Sequence, residues 1–214
     1  QIIKTGSPMY EVLNFYLPKI KKSNILEKLN LKKDNYFLVS THREENIETK
    51  QNFERLFNML NSIANEYKIP LIISTHPRTR KKLEHSNFEL NKNIKLIEPL
   101  GFHDYINLQM NAKVVLSDSG TISEESSILN FAAINIREAH ERPEAMEEAA
   151  VMLSGLEKKR VIQCINILNE QKKGKNRDLN LVSDYKNQNV SKKIVRLIHS
   201  YTSYINQRVW YKDK

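Results

Sequence analysis

The sequence predicts an α/β fold in which a parallel sheet carries helices on both faces. Three observations predict it. Short apolar runs alternate with helical patterns along most of the chain, the order expected of βαβ units. Polar clusters follow the apolar runs, where the ligand loops of such sheets lie. One run, Val114-Val115-Leu116, stops at Ser117-Asp118-Ser119-Gly120 and gives way at once to a helical pattern.

Residues 1–12 read as the end of a strand followed by a turn at Gly6-Ser7-Pro8. Residues 9–34 hold short helical patterns and a polar linker with little predicted core. Residues 36–41 form a buried strand, and 49–67 a helix with Phe53, Leu56, Phe57, Leu60, Ile63 and Ala64 on one face. A strand at 70–74 precedes a helix beginning near Pro77. Strands follow at 94–97 and 113–117, with a short helix at 103–111 between them. A strand at 133–136, a short helix at 143–148, a short strand at 150–153 and an amphipathic helix at 156–169 complete the alternation. Residues 170–187 are rich in Lys, Asn and Asp and read as loop or poorly ordered. A last helix covers 190–210.

The chain has 214 residues, a formal charge of +9 and 40% apolar residues, enough for one large domain or a domain with an appendage. No apolar run approaches the roughly 20 residues that span a bilayer, so no membrane partner is expected. The start lacks the pattern of a signal peptide. One cysteine, Cys164, excludes an internal disulfide framework and fits a reducing, cytoplasmic compartment. The excess lysines are dispersed without aromatic interleaving, which favours a solvated surface over a nucleic-acid face. The histidines have no metal-ligand spacing, so no metal is expected. Neither a GxxxxGK[ST] loop nor a GxGxxG run is present, which weakens ATP-hydrolase and ordinary dinucleotide readings.

Five polar clusters would converge on the carboxyl rim of the sheet: 41–46, 75–78, 98–102, 117–120 and 137–144. Ser119, Gly120 and Thr121, opening a helix, suit an anion, because free N–H groups and the positive dipole end meet there. The same residues also suit an ordinary capped helix, with Asp118 or Ser119 as N-cap and Glu124 and Glu125 complementing the dipole. Glu125 could accept both hydroxyls of a ribose. Arg43 could pair with phosphate, and His42 could serve as an acid or hydrogen-bond donor. A surface salt-bridge cluster is the alternative there. His76 repeats the His–Arg theme with Arg78. Arg142 could reach an anion and Glu144 could orient it, or the pair could belong to a capped helix at Pro143.

Taken together, His42-Arg43-Glu44-Glu45-Asn46, His76-Pro77, Glu98-Pro99-Leu100, Asp118-Ser119-Gly120 with Glu124-Glu125, and Arg137 with Glu141-Arg142-Pro143-Glu144 resemble the non-hydrolysing UDP-N-acetylglucosamine 2-epimerases. The resemblance runs from about residue 1 to residue 170 and covers only the second half of such an enzyme. It implies the second Rossmann-like domain of a GT-B-type fold: a joint segment at 1–17, a UDP-binding domain at 18–187, and a C-terminal helix at 188–214 that packs back on an N-terminal domain. It implies that Ser119, Gly120 and Thr121 hold phosphate, Glu125 the ribose, and that Tyr105 lies by the uracil. Arg43 and His76 would line the phosphate, His42 would match a histidine implicated in catalysis, and Arg142 and Glu144 would shape the rim. No cofactor is implied. A partner supplying the N-terminal domain, or a homodimer, is. Thr121 stands where the family often has a second glycine, and Ala132 near a usual proline. The loops at 100–102, 119–127 and 137–142 look closer to a branch acting on 6-deoxy UDP-sugars for N-acetyl-L-fucosamine in capsule or O-antigen. The other readings are a GT-B glycosyltransferase half and a non-catalytic remnant.

Overall fold

The computed structural model describes residues 2–41, 49–75, 77–86, 88–139 and 141–212, leaving aside the side chains of residues 77, 78, 84 and 85. Its centre is a six-stranded parallel sheet. The strands are β1 (Phe37–Ser40), β2 (Leu71–Ser74), β3 (Ile94–Ile97), β4 (Val114–Ser117), β5 (Ala133–Asn135) and β6 (Met152–Leu153), in the order β3-β2-β1-β4-β5-β6. The chain therefore builds outward from β1 in one direction and from β4 in the other. The switch between those strands opens a crevice at their carboxyl ends, where ligands of such sheets bind.

The runs in β1, β2 and β4 are buried at every position, which is why they read as continuous apolar segments rather than alternating ones. Their side chains still alternate between the two sheet faces. Phe37, Val39, Ile73 and Leu116 join the core under α3 (Lys50–Tyr67) and α8 (Lys158–Leu168). Leu38, Ile72, Val115 and Ala133 join the opposite core, with Leu108 of α5 (Phe102–Asn111) and Ile122 of α6 (Ile122–Leu129). Cys164 is buried in the first of these cores. Helix α4 (Pro77–His85) opens on Pro77, and α7 (Pro143–Glu147) opens on Pro143, whose fixed φ and missing N–H suit a first turn.

Three expectations from the sequence need correction. Ile2 and Ile3 form no strand: both are exposed, and the sheet edges are β3 and β6. Residues 9–34 carry more core than their composition suggests. Helix α1 (Met9–Lys21) buries Leu13 and Ile20 completely against Ile106 of α5, and a short α2 (Ile25–Lys28) buries Ile25. The exposed Phe15 and the lysines around these residues blur the helical stripe. The 170–187 segment has no regular element besides a 3₁₀ turn at Ser183–Tyr185, but it is tied down. Lys173 donates to Asp34 and to the carbonyls of Ala112 and Lys113, while Arg177 donates to those of Ser127 and Ile128. These are long-range partners that local composition does not reveal.

The last helix, α9 (Val190–Arg208), buries Val190 and leaves Ile194, Val195, Ile198 and Tyr204 exposed. Among the described residues no helix is long and apolar enough to cross a membrane.

Candidate functional site

The strands end in a row of small polar residues. Register places Ser74, Ser40 and Ser117 side by side, with Asn135 next to Ser117. These residues stop the apolar runs at the same level, so the loops beyond them start from one rim. Asp118 is fully buried in the crevice, and its N–H donates to Ser40 O at 3.2 Å, joining β4 to β1 just past the last ladder rung.

The loop after β4 is folded by its own hydroxyls. The Ser119 N–H donates to Ser117 Oγ at 3.1 Å, and the Thr121 N–H to Ser119 Oγ at 3.3 Å. The hydroxyls of Ser119 and Thr121 lie 2.9 Å apart. The N-cap of α6 is Thr121, and its side chain makes no capping bond. The N-cap position thus falls on Thr121 rather than on Asp118 or Ser119. The first turn of a helix has no intrahelical acceptor for its N–H groups; here the Ser119 hydroxyl takes that of Thr121, and the Thr121 side chain caps none. The helix start is nonetheless buried, with Ile122 and Ser123 fully enclosed. Ser123 Oγ is buried with no hydrogen-bond partner among the described residues.

Gly120 faces the loop that follows β5. A Cβ at this position would stand 3.3 Å from Glu141 Oε2 and 3.9 Å from Arg142 Nε, so the two loops lie close together here. Arg137, at the end of β5, pairs with Glu141 at 2.8 Å. The Arg142 guanidinium lies 4.0 Å from Glu124 and 3.8 Å from Glu144. Glu144 in turn accepts the Tyr185 hydroxyl at 2.9 Å. Burial holds the Tyr185 phenol well above its usual pKa, and the neighbouring Glu144 adds to this. A cavity of about 410 Å³ opens beside this group, lined by Glu124, Arg142, Glu144, Tyr185 and the 4–9 segment. That segment is held by the Lys4–Asp184 pair and the Ser7 N–H donating to Asp184 O.

Glu125 and Tyr105 lie near each other. Glu125 is buried and accepts the Gln109 side-chain amide at 2.6 Å. Burial raises its pKa above the usual carboxylate value, while hydrogen bonds from Gln109 and Thr121 oppose the rise. Burial pushes Tyr105 up to about 12, against hydrogen bonds with Ser40 and Gln109.

The structure thus brings Ser119, Gly120, Thr121, Arg142 and Glu144 together around the start of α6, with Glu125 one turn into that helix and Tyr105 near it. His42, Arg43 and His76 lie outside the described residues. Sequence reading missed Gln109 and Tyr185. Gln109 has a faint signal, its place one turn after Tyr105. Tyr185 has none, because its partner Glu144 is reached only through the fold. Among the described residues no group of three His, Cys, Asp or Glu side chains is placed to hold a metal ion.

This geometry has close parallels. A family profile described as UDP-N-acetylglucosamine 2-epimerase matches residues 1–199. A Methanocaldococcus jannaschii protein named UDP-N-acetylglucosamine 2-epimerase is 38% identical over 148 residues, which span 67% of this chain and 40% of that protein. The solved structure of a UDP-N-acetylglucosamine 2-epimerase from Rickettsia bellii superposes with a TM-score of 0.87 at 45% identity, over 97% of this chain and 55% of that one. A Methanocaldococcus jannaschii UDP-GlcNAc 2-epimerase, solved in complex with UDP-GlcNAc and UDP, gives 0.80 at 31% identity, over 92% of this chain and 54% of that one. The chain therefore spans about half the length of these structures and less of the curated relative.

Proposed function

The chain belongs to the UDP-N-acetylglucosamine 2-epimerase family, and from that premise we propose that it forms the UDP-holding part of an enzyme that inverts C2 of a UDP-N-acetylhexosamine. One observation carries the reading: the buried start of α6 just past β4, whose N-cap side chain makes no capping bond, with Arg142 close to Gly120 and the Glu125 carboxylate buried one turn on. An anion with a diol attached suits that arrangement. The diphosphate sits against the N–H groups of α6 and the Ser119 and Thr121 hydroxyls. The ribose hydroxyls donate to Glu125, an acceptor-only group when ionised. Tyr105 lies by the uracil, and Arg142 and Glu144 shape the rim. Arg43 and His76 line the phosphate and His42 takes a catalytic role, on the resemblance of their motifs alone.

The reaction is an elimination and a re-addition. UDP leaves as the C2 proton is removed, a glycal forms across C1–C2, and UDP returns after C2 is reprotonated on the other face. Charge grows on the departing diphosphate. Preorganised donors stabilise it, and the loss of one such donor typically costs about 2.7–4 kcal/mol. Arg43, Ser119 and the start of α6 act in this way. Removing and returning the C2 proton takes an acid and a base on opposite faces. Their carboxylates come from an N-terminal domain, consistent with a chain that spans about half of its solved relatives. Residues 1–17 then form the joint and 18–187 the UDP-binding domain. Residues 188–214 pack back on the N-terminal domain through the face bearing Ile194, Val195 and Ile198, which is exposed here. The product serves capsule or O-antigen synthesis, in the 6-deoxy branch.

Calorimetry with UDP tests the binding half of this proposal: uptake is expected, and a folded sample that takes up none sinks it. Solvent-deuterium exchange at C2 of the UDP-sugar tests the chemistry. We expect exchange when an N-terminal domain is present and little when this chain acts alone. A glycosylated acceptor in place of a C2 epimer would point instead to a glycosyltransferase half.

A further inference from the structure

Gln109 lies against Glu125 and near Tyr105, the two residues assigned to the nucleoside under the proposed function. It lies one turn beyond Tyr105 on α5, so the two side chains share a helix face. It is 1% exposed. Its amide nitrogen donates to Glu125 Oε2 at 2.6 Å, and its side chain lies near enough to the Tyr105 phenol to lower that group's pKa. An amide oxygen turned toward an ionised carboxylate would be repelled, so the NH₂ group must face Glu125. That orientation leaves Gln109 Oε1 buried with no hydrogen-bond partner among the described residues. Buried polar atoms are almost always paired, so an acceptor left open beside a carboxylate points to a donor brought by a ligand.

We propose that Gln109 reads the ribose of the bound nucleotide, by holding Glu125 in position and by accepting a ribose hydroxyl at its own Oε1. The inference rests on the reading that Glu125 grips the ribose, and it adds a second acceptor to that grip. A ribose hydroxyl donates one proton. Glu125 Oε2 already accepts the Gln109 amide, so Gln109 Oε1 offers a separate acceptor beside the carboxylate for one of the two hydroxyls. Gln109 also bears on the charge of Glu125. Its N–H bond favours the ionised form, against burial and against Glu124 on the same helix. The other groups bearing on this pair are Thr121 from the start of α6, Tyr105 from α5, and Asp118, which acts on Tyr105.

Calorimetric titrations of UDP, 2′-deoxy-UDP and 3′-deoxy-UDP into wild type and Gln109→Leu test this, each repeated at falling pH. Wild type is expected to bind UDP at least several-fold more tightly than one of the deoxy analogues. Q109L is expected to lose about tenfold or more for UDP, with a smaller loss for the analogue lacking the hydroxyl that Gln109 reads. The acid limb of UDP binding should move to higher pH in Q109L, since Glu125 loses a bond that kept it ionised. Gln109→Met repeats the measurement should leucine disturb the helix. Equal binding of all three nucleotides by wild type overturns the inference. So does a Q109L loss that is the same for all three with an unmoved acid limb, which marks a packing effect. Wild type that takes up no UDP at any pH overturns instead the reading beneath it.

Discussion

Helix α3 starts from Thr49, whose hydroxyl accepts the Asn52 N–H at 3.1 Å, and helix α6 starts from Thr121, whose hydroxyl turns toward Ser119 at 2.9 Å and caps nothing. Helix α3 is the next described element after β1, and α6 is the next after β4, the two central strands. The same residue type in the same position closes one helix and leaves the other open. The open one is also the better buried at its start: Ser123 and Glu124 are enclosed, while Lys50 is exposed. Capping residues thus announce a helix start, and only the direction of the side chain tells which starts they close. The far end of α6 extends the contrast. Its last carbonyls, at Ser127 and Ile128, receive the Arg177 guanidinium at 2.7 Å each, a side-chain cover reached from another segment.

The contrast can be broken at several points. The largest effect is expected at Glu125. Glu125→Gln should weaken UDP by at least about tenfold, the scale of a hydrogen bond to a charged group, as read by calorimetry. The same change should raise the melting temperature at neutral pH. Burial lifts the folded-state pKa of Glu125 above its unfolded value. The fold therefore carries a cost that is full above the folded pKa and absent below the unfolded one. The gain should fade as pH falls through that window. A variant that melts lower at neutral pH would place Glu125 among the stabilising groups and undo the argument.

Arg177→Ala comes next. It strips two carbonyls at the end of α6 of their donor, and denaturant unfolding should show a loss of about 1–3 kcal/mol. Thr49→Ala should cost about 1 kcal/mol of stability and leave UDP affinity unchanged. Thr121→Ala should be smallest in stability, within about 0.5 kcal/mol, yet should weaken UDP. Should the two threonines cost the same on unfolding and neither touch binding, the difference between the helix starts would have no functional content.

Much of this was legible along the chain. Continuous apolar runs at 36–41, 70–74 and 113–117 gave away the buried central strands, because a strand covered on both faces has no polar side to show. The break at Ser117-Asp118-Ser119-Gly120 located the crevice, and Pro143 located its helix. What failed was whatever depended on distant partners. Leu13 and Ile20 looked like surface helix until Ile106 met them. Residues 170–187 looked loose until Lys173 and Arg177 found carbonyls on other elements. The capping alternative at Asp118 and Ser119 stayed open because hydroxyl direction is not written in residue type.

By itself the sequence determined the alternation of strands and helices, the parallel sheet, the break after β4 and the family, since each follows from local periodicity and short motifs. The tertiary structure decided that the Thr121 side chain does not cap α6, that Gly120 faces Arg142 and that Glu125 is buried against Gln109. The reason is physical: burial, hydrogen-bond direction and electrostatic shift depend on groups far apart along the chain, and those meet only when the sheet has set the order of its strands.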